Sequence, residues 1–284
     1  MRLTAWPERG GRLALREAPR EAPGGQIATA VLAATRLGLR ARLVGSVGDD
    51  EAADRALAPL RAAGVDLEGI HRAKGVPTRS ALVLVDARDG ERSVIGHRDA
   101  GLALPPAALD RTALRRARVL LVDADDLEAA RWAVSVAREE GVPSVLDVDA
   151  ADPERLALAR AVDFPIVSGE FSAKLSGRGR EEDTLAQLVG PGVRMAVVTR
   201  GAAGAVARLG DEVWTQPAFA VTVHDSTGAG DVFRGAFAVG VARGDPARRA
   251  LGRAAAAAAL ACRGAGAQGS LPDAAEVEAL ISGR

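Results

Sequence analysis

Short runs of β-branched and apolar residues alternate with longer helical patterns through the middle of the chain, and this alternation limits the fold most strongly. The runs are largely continuous in apolar character, which is typical of strands covered on both faces. Most segments between them are long enough for a right-handed crossover. The pattern predicts an α/β fold with a largely parallel central sheet and helices on both faces. The predicted strands are Arg42–Val47, Val119–Val122, Ser144–Val148, Phe164–Val167 and Met195–Thr199.

Helical spacing of apolar residues fills the segments between these strands and dominates the chain after Ala229. The helices predicted between the strands are Ile27–Leu37, Glu51–Ala63, Leu127–Glu139, Pro153–Ala161 and Glu182–Val189. One C-terminal helix is predicted from Ala229 to Val241 and another over Leu251–Leu260. The alanine run in the second predicts close packing in the interior.

Two strand-like stretches, Arg79–Asp86 and Glu91–Arg98, flank an Asp-Gly turn at residues 87–90, which is a hairpin pattern. Together with the weaker alternation of Leu13–Arg20, they predict either a small antiparallel lid apart from the main layer or edge hairpins of one domain. We expect one domain over residues 1–284, with lid strands from about 11–22 and 66–99. Exposed sheet edges are commonly paired or covered, so a homodimer through Arg79–Arg98 is also predicted.

The composition excludes several classes of function. Apolar residues make up 48% of the chain, which is enough for a core, and Lys plus Arg (37) balances Asp plus Glu (37). This balance favours neither nucleic acid nor an anionic membrane as a partner. Cys262 is the only cysteine, so an intramolecular disulfide is impossible. No apolar stretch reaches the ~20 residues of a membrane span, and no signal peptide is recognisable, so we expect a cytoplasmic protein.

Common nucleotide-binding motifs are also missing. The only lysines, Lys74 and Lys174, are not followed by Ser or Thr, which rules out a Walker A loop. The three histidines are scattered, as structural or solvated histidines are. Residues 264–269 satisfy G-x-G-x-x-G, but they follow a predicted helix rather than a strand, so a dinucleotide site is not expected.

The strongest local motif is His224-Asp225-Ser226-Thr227-Gly228-Ala229-Gly230-Asp231, which leads from a loop into a helix. Unpaired N–H groups at a helix N-terminus form a natural anion site, and small residues let the anion approach closely. Asp231 would repel a simply bound phosphate, but it suits removal of a proton from a hydroxyl that attacks a phosphoryl group. Alternatively, Asp231 only complements the helix dipole.

This motif resembles the second signature of the ribokinase-like (PfkB) family of carbohydrate and nucleoside kinases, D-T-x-G-A-G-D, with Ser226 for the usual Thr. Three other regions resemble the family's first signature, its V-T-x-G-x-x-G turn and its C-terminal loop, in the expected order. The nearest likeness is the branch that contains sulfofructose kinase. The three regions are Gly24–Ala30 with Arg36–Gly38 and Val47–Asp50, then Val197–Gly204, then Gly264–Pro272.

The resemblance implies ATP-dependent phosphorylation of a hydroxyl of a small sugar or sugar derivative, with Mg²⁺ and a potassium ion. It implies that Asp231 is the general base and that the N–H groups of Gly228, Ala229 and Gly230 stabilise the transferring phosphoryl group. The other implied residues are Gly24, Gly25, Thr29 and Asp125 for the sugar, Thr199, Gly201, Gly204, Gly266 and Gly269 for ATP, Asp225 and Thr227 for potassium, and Glu170 for the waters of Mg²⁺. Asp125 could equally cap the helix that follows it.

Three features depart from the family pattern. Only Met1–Thr4 precede Ala5-Trp6-Pro7-Glu8, so the first core strand and its sugar-binding aspartate are expected to be missing. The N-x-x-E element is replaced by Ser168-Gly169-Glu170-Phe171, where Glu170 serves only if the backbone shifts by one residue. Gln26 and Thr29 replace residues that ribokinase uses, so the identity of the sugar cannot be carried over.

Two alternatives to a sugar kinase remain open. A nucleoside kinase is the first, but aromatic residues make up only 3% of the chain and there is no tyrosine to stack on a base. The second is a non-catalytic member of the family that binds sugar or nucleotide, which the missing strand and the altered metal element favour. Turnover of ATP with a sugar distinguishes these cases.

Overall fold

The computed structural model describes residues 1–3, 10–12, 18–86, 92–177 and 180–283. The strands in these ranges are β1 (Arg2–Leu3), β2 (Arg42–Gly48), β3 (Asp66–Ala73), β4 (Ser80–Asp86), β5 (Arg92–His97), β6 (Leu120–Asp123), β7 (Ser144–Val148), β8 (Phe164–Ser168), β9 (Ala196–Thr199), β10 (Ala205–Leu209) and β11 (Glu212–Gln216).

The α-helices in the same ranges follow the predicted segments, with three additions near residues 111, 169 and 274. They are α1 (Gln26–Arg36), α2 (Glu51–Ala62), α3 (Arg111–Arg115), α4 (Leu127–Glu139), α5 (Pro153–Ala159), α6 (Gly169–Ser176), α7 (Glu181–Leu188), α8 (Ala229–Arg243), α9 (Ala247–Ala261) and α10 (Ala274–Ile281). None of these described helices is long and apolar enough to cross a membrane.

A six-stranded central sheet carries the fold, in the order β11-β10-β9-β8-β7-β6. β6 to β9 run parallel, whereas β10 is antiparallel to both of its neighbours. β7 is buried along its whole length. β6 is only partly buried, and in the described ranges it has a neighbour on one side only. The prediction of a mostly parallel α/β sheet is confirmed.

Helices cover both faces of this sheet, and the strand side chains alternate between the two layers. Val145, Ile166 and Val197 pack against α1, α8 and α9 on one face. Their chain neighbours Leu146, Val167 and Val198 pack against α4 to α7 on the other. Because each strand contributes to both cores, its sequence is apolar without a break, which is why the strand runs were recognisable.

One predicted core strand lies elsewhere. Arg42–Val47 was expected in the central layer, but β2 pairs only with β3 in a separate two-stranded parallel sheet within the described residues. Leu43 of β2 packs instead with Val31 and Leu57, against α1 and α2. The apolar pattern predicted the strand correctly, but it does not contain the pairing partner.

A small second sheet matches the predicted lid only in part. β4 and β5 pair in antiparallel fashion, as predicted, and the turn at 87–90 lies outside the described residues. The third strand is β1, parallel to β4, rather than Leu13–Arg20. Residues 18–22 are not in a strand, and residues 13–17 lie outside the described ranges. In the described ranges β6 is the outermost strand of the central sheet, and β1 belongs to the small sheet.

Candidate active site

The start of α8 is held in a tight loop. Gly228, which precedes the helix, has φ +79°, a left-handed conformation that favours glycine. A Cβ at Gly228 would lie 2.7 Å from Cα of Ala267, so the loop packs directly against the C-terminal loop 264–269. The first N–H groups of a helix have no partner within it, and here they lie at a cavity. Such an arrangement is able to accept an anion.

The three amides assigned to this anion site are not equivalent. The N–H of Ala229 donates to the carbonyl of Ser226 at 3.2 Å. That amide closes the turn, so its predicted contact with a phosphoryl group requires this hydrogen bond to break. Gly228 and Gly230 line the cavity together with Ala229.

Asp225 ties the loop to the rest of the molecule. Its Oδ1 accepts from the N–H of Thr227 at 2.9 Å and its Oδ2 from the N–H of Gly266 at 2.8 Å. The N–H groups of His224 and Asp225 donate to the carbonyl of Cys262 at the end of α9. The Asp225 carboxylate therefore joins the loop before α8, residues 224–228 (here called the anion loop), to loop 264–269.

Asp231 lies in the first turn of α8, where it is half-buried and lines the cavity. Its negative charge acts on Asp147, at the end of β7. Burial raises the pKa of Asp147 to about 8, and the charges of Asp149, Asp231 and Asp123 add to this rise against the opposing effect of Arg234. The acidic groups at this end of the sheet are thus close enough to influence each other.

Arg234 is a buried cation among these acids. It follows Asp231 by three residues on α8, and only 4% of it is exposed. Its Nε lies 2.8 Å from Oδ1 of Asp147 and its Nη2 lies 3.5 Å from Oδ1 of Asp149. The first contact is an ion pair without the angles of a hydrogen bond, and Nε also donates to the carbonyl of Ile166 at 3.4 Å. The guanidinium lies beside Gly230, because a Cβ there would be 2.7 Å from Nη1.

The start of α1 forms the opposite wall of the cavity. Gly24 and Gly25 line it, and Nε2 of Gln26 donates to Oδ2 of Asp149 at 2.5 Å. Thr29, predicted to face the sugar, is fully buried, and its Oγ1 accepts from Nε2 of Gln268 at 3.3 Å. Thr29 therefore does not reach the cavity, because the helical turn directs it toward the C-terminal loop.

Asp125 lines the cavity after β6 and pairs with Arg79, which precedes β4. Its backbone N–H donates to Oδ1 of Asp123 at 3.0 Å. The residue at the cap position of α4 is Asp126, and it pairs with Arg98. Asp125 is therefore not the helix cap, and it remains available at the mouth of the cavity.

The predicted nucleotide residues divide into two sets. Thr199, Gly201 and Gly266 line the cavity, whereas Gly204 and Gly269 are turn residues outside its lining. Glu170 is exposed on α6, and its carboxylate pairs with Nζ of Lys174 at 2.8 Å. It also lies outside the cavity lining, so its role toward the waters of Mg²⁺ stays a prediction.

The cavity itself measures roughly 2650 Å³, well above the range of about 300–1,000 Å³ for small-molecule sites. It extends from the anion loop past Asp149 and along β6 and β2. Along this length the cavity is lined by residues of β6, which has no strand on its outer side within the described ranges. The chemical groups lie at one end, where α8, α1 and the ends of β6 and β7 meet.

Comparisons with known proteins agree with this arrangement. Residues 4–274 match the family described as pfkB family carbohydrate kinase. This chain belongs to that family. An ATP-dependent ribose-1-phosphate kinase from Halopiger xanaduensis is 32% identical over 292 residues, which is 100% of this chain and 94% of that protein. The predicted PfkB-type carbohydrate kinase is confirmed.

Solved structures of family members show the same fold. Ribokinase from Arabidopsis thaliana, complexed with ribose and ATP, has a TM-score of 0.83 at 25% identity and covers 99% of this kinase and 94% of its own chain. A ribokinase-like protein from E. coli, complexed with ATP and Mg²⁺, has a TM-score of 0.79 at 26% identity and covers 94% of both chains. None of these three relatives is a sulfofructose kinase, and that branch stays a prediction.

Sequence analysis of this pfkB-family kinase did not single out Asp147, Asp149 or Arg234. The available signal was an arginine between Phe233 and Gly235 in an otherwise apolar helix, together with two acids at the end of a buried strand. Such charges are rarely buried unless they are paired. The pairing joins residues far apart in the chain, so the motif alone did not reveal it.

Proposed function

We propose that this kinase transfers the γ-phosphoryl group of ATP to a hydroxyl of a small sugar or sugar derivative, with Asp231 as the general base. The observation that carries the proposal is the position of Asp231, in the first turn of α8 beside Gly228–Gly230 and facing the same cavity. A helix start with a carboxylate next to it suits an attacking hydroxyl better than it suits passive phosphate binding.

In the proposed reaction the acceptor oxygen attacks the γ-phosphorus in line with the leaving group. The hydroxyl proton passes to the carboxylate of Asp231 while the new O–P bond forms. The bond from the γ-phosphorus to the bridging oxygen breaks, and ADP leaves with that oxygen. The N–H groups at the start of α8 stabilise the charge on the equatorial oxygens, and Arg234 adds positive charge beside Gly230.

Mg²⁺ fits this site as an ion that accompanies ATP. Mg²⁺ keeps several waters and binds mainly phosphate oxygens, so it needs few protein ligands. The described residues contain no group of three His, Cys, Asp or Glu side chains that could hold a metal, which agrees with that role. When bound, the ion supplies neutralisation of phosphate charge. A potassium site at Asp225 and Thr227 stays a prediction.

The acceptor is proposed from the relatives and from the cavity. The 32% identity with a ribose-1-phosphate kinase supports a pentose or its phosphate ester. The 32% identity with a fructokinase from Zea mays supports a ketose equally. A nucleoside is less favoured, because few aromatic residues are present to stack on a base. We also propose that the kinase acts in the cytoplasm and dimerises through β4 and β5.

The test is ADP release with Mg-ATP and potassium across a panel of D-ribose, ribose 1-phosphate, D-fructose, D-gluconate and adenosine. We expect sugar-dependent turnover that falls about 10²–10⁴-fold in Asp231→Asn, because general-base catalysis contributes that factor. Asp211→Asn, a fully exposed carboxylate in the β10–β11 turn, is the matched control. Replacing potassium by sodium tests the cation site.

Two outcomes would contradict the proposal. Absence of ADP above the hydrolysis background with every acceptor, while ligand binding persists, would identify a non-catalytic binding protein. Turnover that Asp231→Asn leaves intact would show that Asp231 only complements the dipole of α8.

A further inference from the structure

Asp149 occupies a special position among the acids of the site. It follows β7, lines the cavity, and leaves 55% of its side chain exposed there. Groups from two different helices lie against it: Nε2 of Gln26 on α1 donates to Oδ2, and Nη2 of Arg234 on α8 lies 3.5 Å from Oδ1. Its neighbour Asp147, by contrast, is fully buried. Asp149 is therefore a carboxylate that is held on one side and open on the other.

The guanidinium nitrogens of Arg234 have different partners, and one of them lies close to Asp149. Its Nε is engaged by Asp147 and by the carbonyl of Ile166, whereas its Nη2 has no hydrogen-bond partner among the described residues. A buried guanidinium nitrogen without a partner is costly. Oδ1 of Asp149 lies 3.5 Å from Nη2, slightly beyond an ordinary hydrogen bond. A ligand that moves the Asp149 carboxylate toward Arg234 would shorten the distance between Nη2 and Oδ1.

The chemistry of the open side follows from the acceptor capacity of a carboxylate. Its two oxygens offer about four lone-pair positions and donate nothing when ionised. Gln26 occupies one position on Oδ2, whereas Nη2 of Arg234 lies 3.5 Å from Oδ1 without a hydrogen bond, so acceptor positions on both oxygens are open at the cavity. Two neighbouring hydroxyls of a polyol match this pair of acceptors, whereas a carboxylate or phosphate at the same place is repelled.

We propose that Asp149 binds the acceptor and sets its specificity, accepting hydrogen bonds from neighbouring hydroxyls of a neutral polyol end, and that Arg234 is the positioning residue that holds Asp149. The inference rests on the proposed kinase function. In this proposal the Asp149 carboxylate, at the end of β7, contacts the sugar on the side of the cavity formed by α1. Asp231 acts on the hydroxyl that is to be phosphorylated.

The test compares Asp149→Asn with the wild type, with D-ribose and D-fructose as neutral probes and D-gluconate as the charged probe. We expect KM for the neutral acceptor to rise about 10–100-fold, the loss typical of hydrogen bonds to a charged group, while KM for ATP stays within about twofold. We also expect a fall in the ratio of kcat/KM for the neutral acceptor to kcat/KM for the anionic acceptor. Asp211→Asn leaves both KM values unchanged.

Arg234 is tested by Arg234→Lys and Arg234→Met, each checked for a native circular dichroism spectrum. Arg234→Met raises KM for the acceptor more than KM for ATP, and Arg234→Lys restores part of the difference because it keeps the charge. A purely structural role would change both KM values together. If Arg234→Met does not fold, Asp149→Asn still decides the specificity claim.

The two proposals fail in different ways. A wild type that phosphorylates no sugar overturns the kinase proposal. A wild type with sugar-dependent turnover, combined with an unchanged acceptor KM in Asp149→Asn, overturns this inference alone. Calorimetric binding of D-ribose or D-fructose without ATP gives a second readout, and equal affinity for wild type and Asp149→Asn also overturns it.

Discussion

At the scale of single residues, Asp123 carries a pH dependence that can be measured. Burial and the charges of Asp125 and Asp126 raise its pKa to about 6. An acid with a raised pKa in the folded state contributes stability at low pH and loses it as pH rises through about 6. Asp123→Asn removes this loss and can still accept the hydrogen bond from the N–H of Asp125. The measured quantity is the unfolding free energy of Asp123→Asn minus that of the wild type. We expect this difference to increase by about 2 kcal/mol when the pH is raised from 4.5 to 7.5.

Urea unfolding at the two pH values measures this difference. Asp211→Asn serves as the control, since its carboxylate is fully exposed. An equal change with pH in wild type and Asp123→Asn would contradict the assigned cause.

At this scale the sequence predicted the residues of the anion loop because they are contiguous. It did not predict that Thr29 is buried or that Glu170 pairs with Lys174, because a side chain's direction depends on the neighbouring elements.

At the scale of elements, the contact between α1 and α8 brings the proposed acceptor side of the cavity and the proposed base, Asp231, together. Gly235 of α8 makes this possible, because a Cβ there would lie 2.2 Å from the carbonyl oxygen of Ala30. Gly235→Ala is expected to destabilise the protein by about 1–3 kcal/mol, since backbone must move to admit the methyl group. Gly252→Ala on α9 is the matched control: its Cβ would lie 3.6 Å from the nearest atom, so alanine should stabilise by about 0.5–1 kcal/mol.

The signs of these two changes, measured by urea unfolding, are therefore opposite, and a stabilising Gly235→Ala would disprove the close approach.

Elements with strong internal patterns, such as α4 and β7, were predicted to the residue. β11 was not predicted, because Glu212–Gln216 is mostly exposed and polar and gains its strand form by pairing with β10. The partner of β2 was equally beyond a local pattern.

At the scale of the whole molecule, the β4–β5 sheet exposes apolar side chains, with Val94 59% and Ile95 61% exposed. We expect light scattering at micromolar concentration to give twice the 29.1 kDa of one chain. Ile95→Asp should return it to the mass of one chain, because the charge would be buried in the contact. Leu209→Asp, at the end of β10, is the control and leaves the mass unchanged. A wild type of single-chain mass would refute dimerisation through this sheet.

The carboxylate of Asp225, which bonds to the N–H groups of Thr227 and Gly266, has a thermodynamic consequence. The loop proposed to receive the phosphoryl group and the loop at Gly266 are joined by this one carboxylate, so displacement of either loop changes the free energy of the other. Linkage then requires reciprocity: if nucleotide strengthens acceptor binding by some factor, the acceptor strengthens nucleotide binding by the same factor. Asp225 is thus the side chain through which such coupling between acceptor and nucleotide would pass.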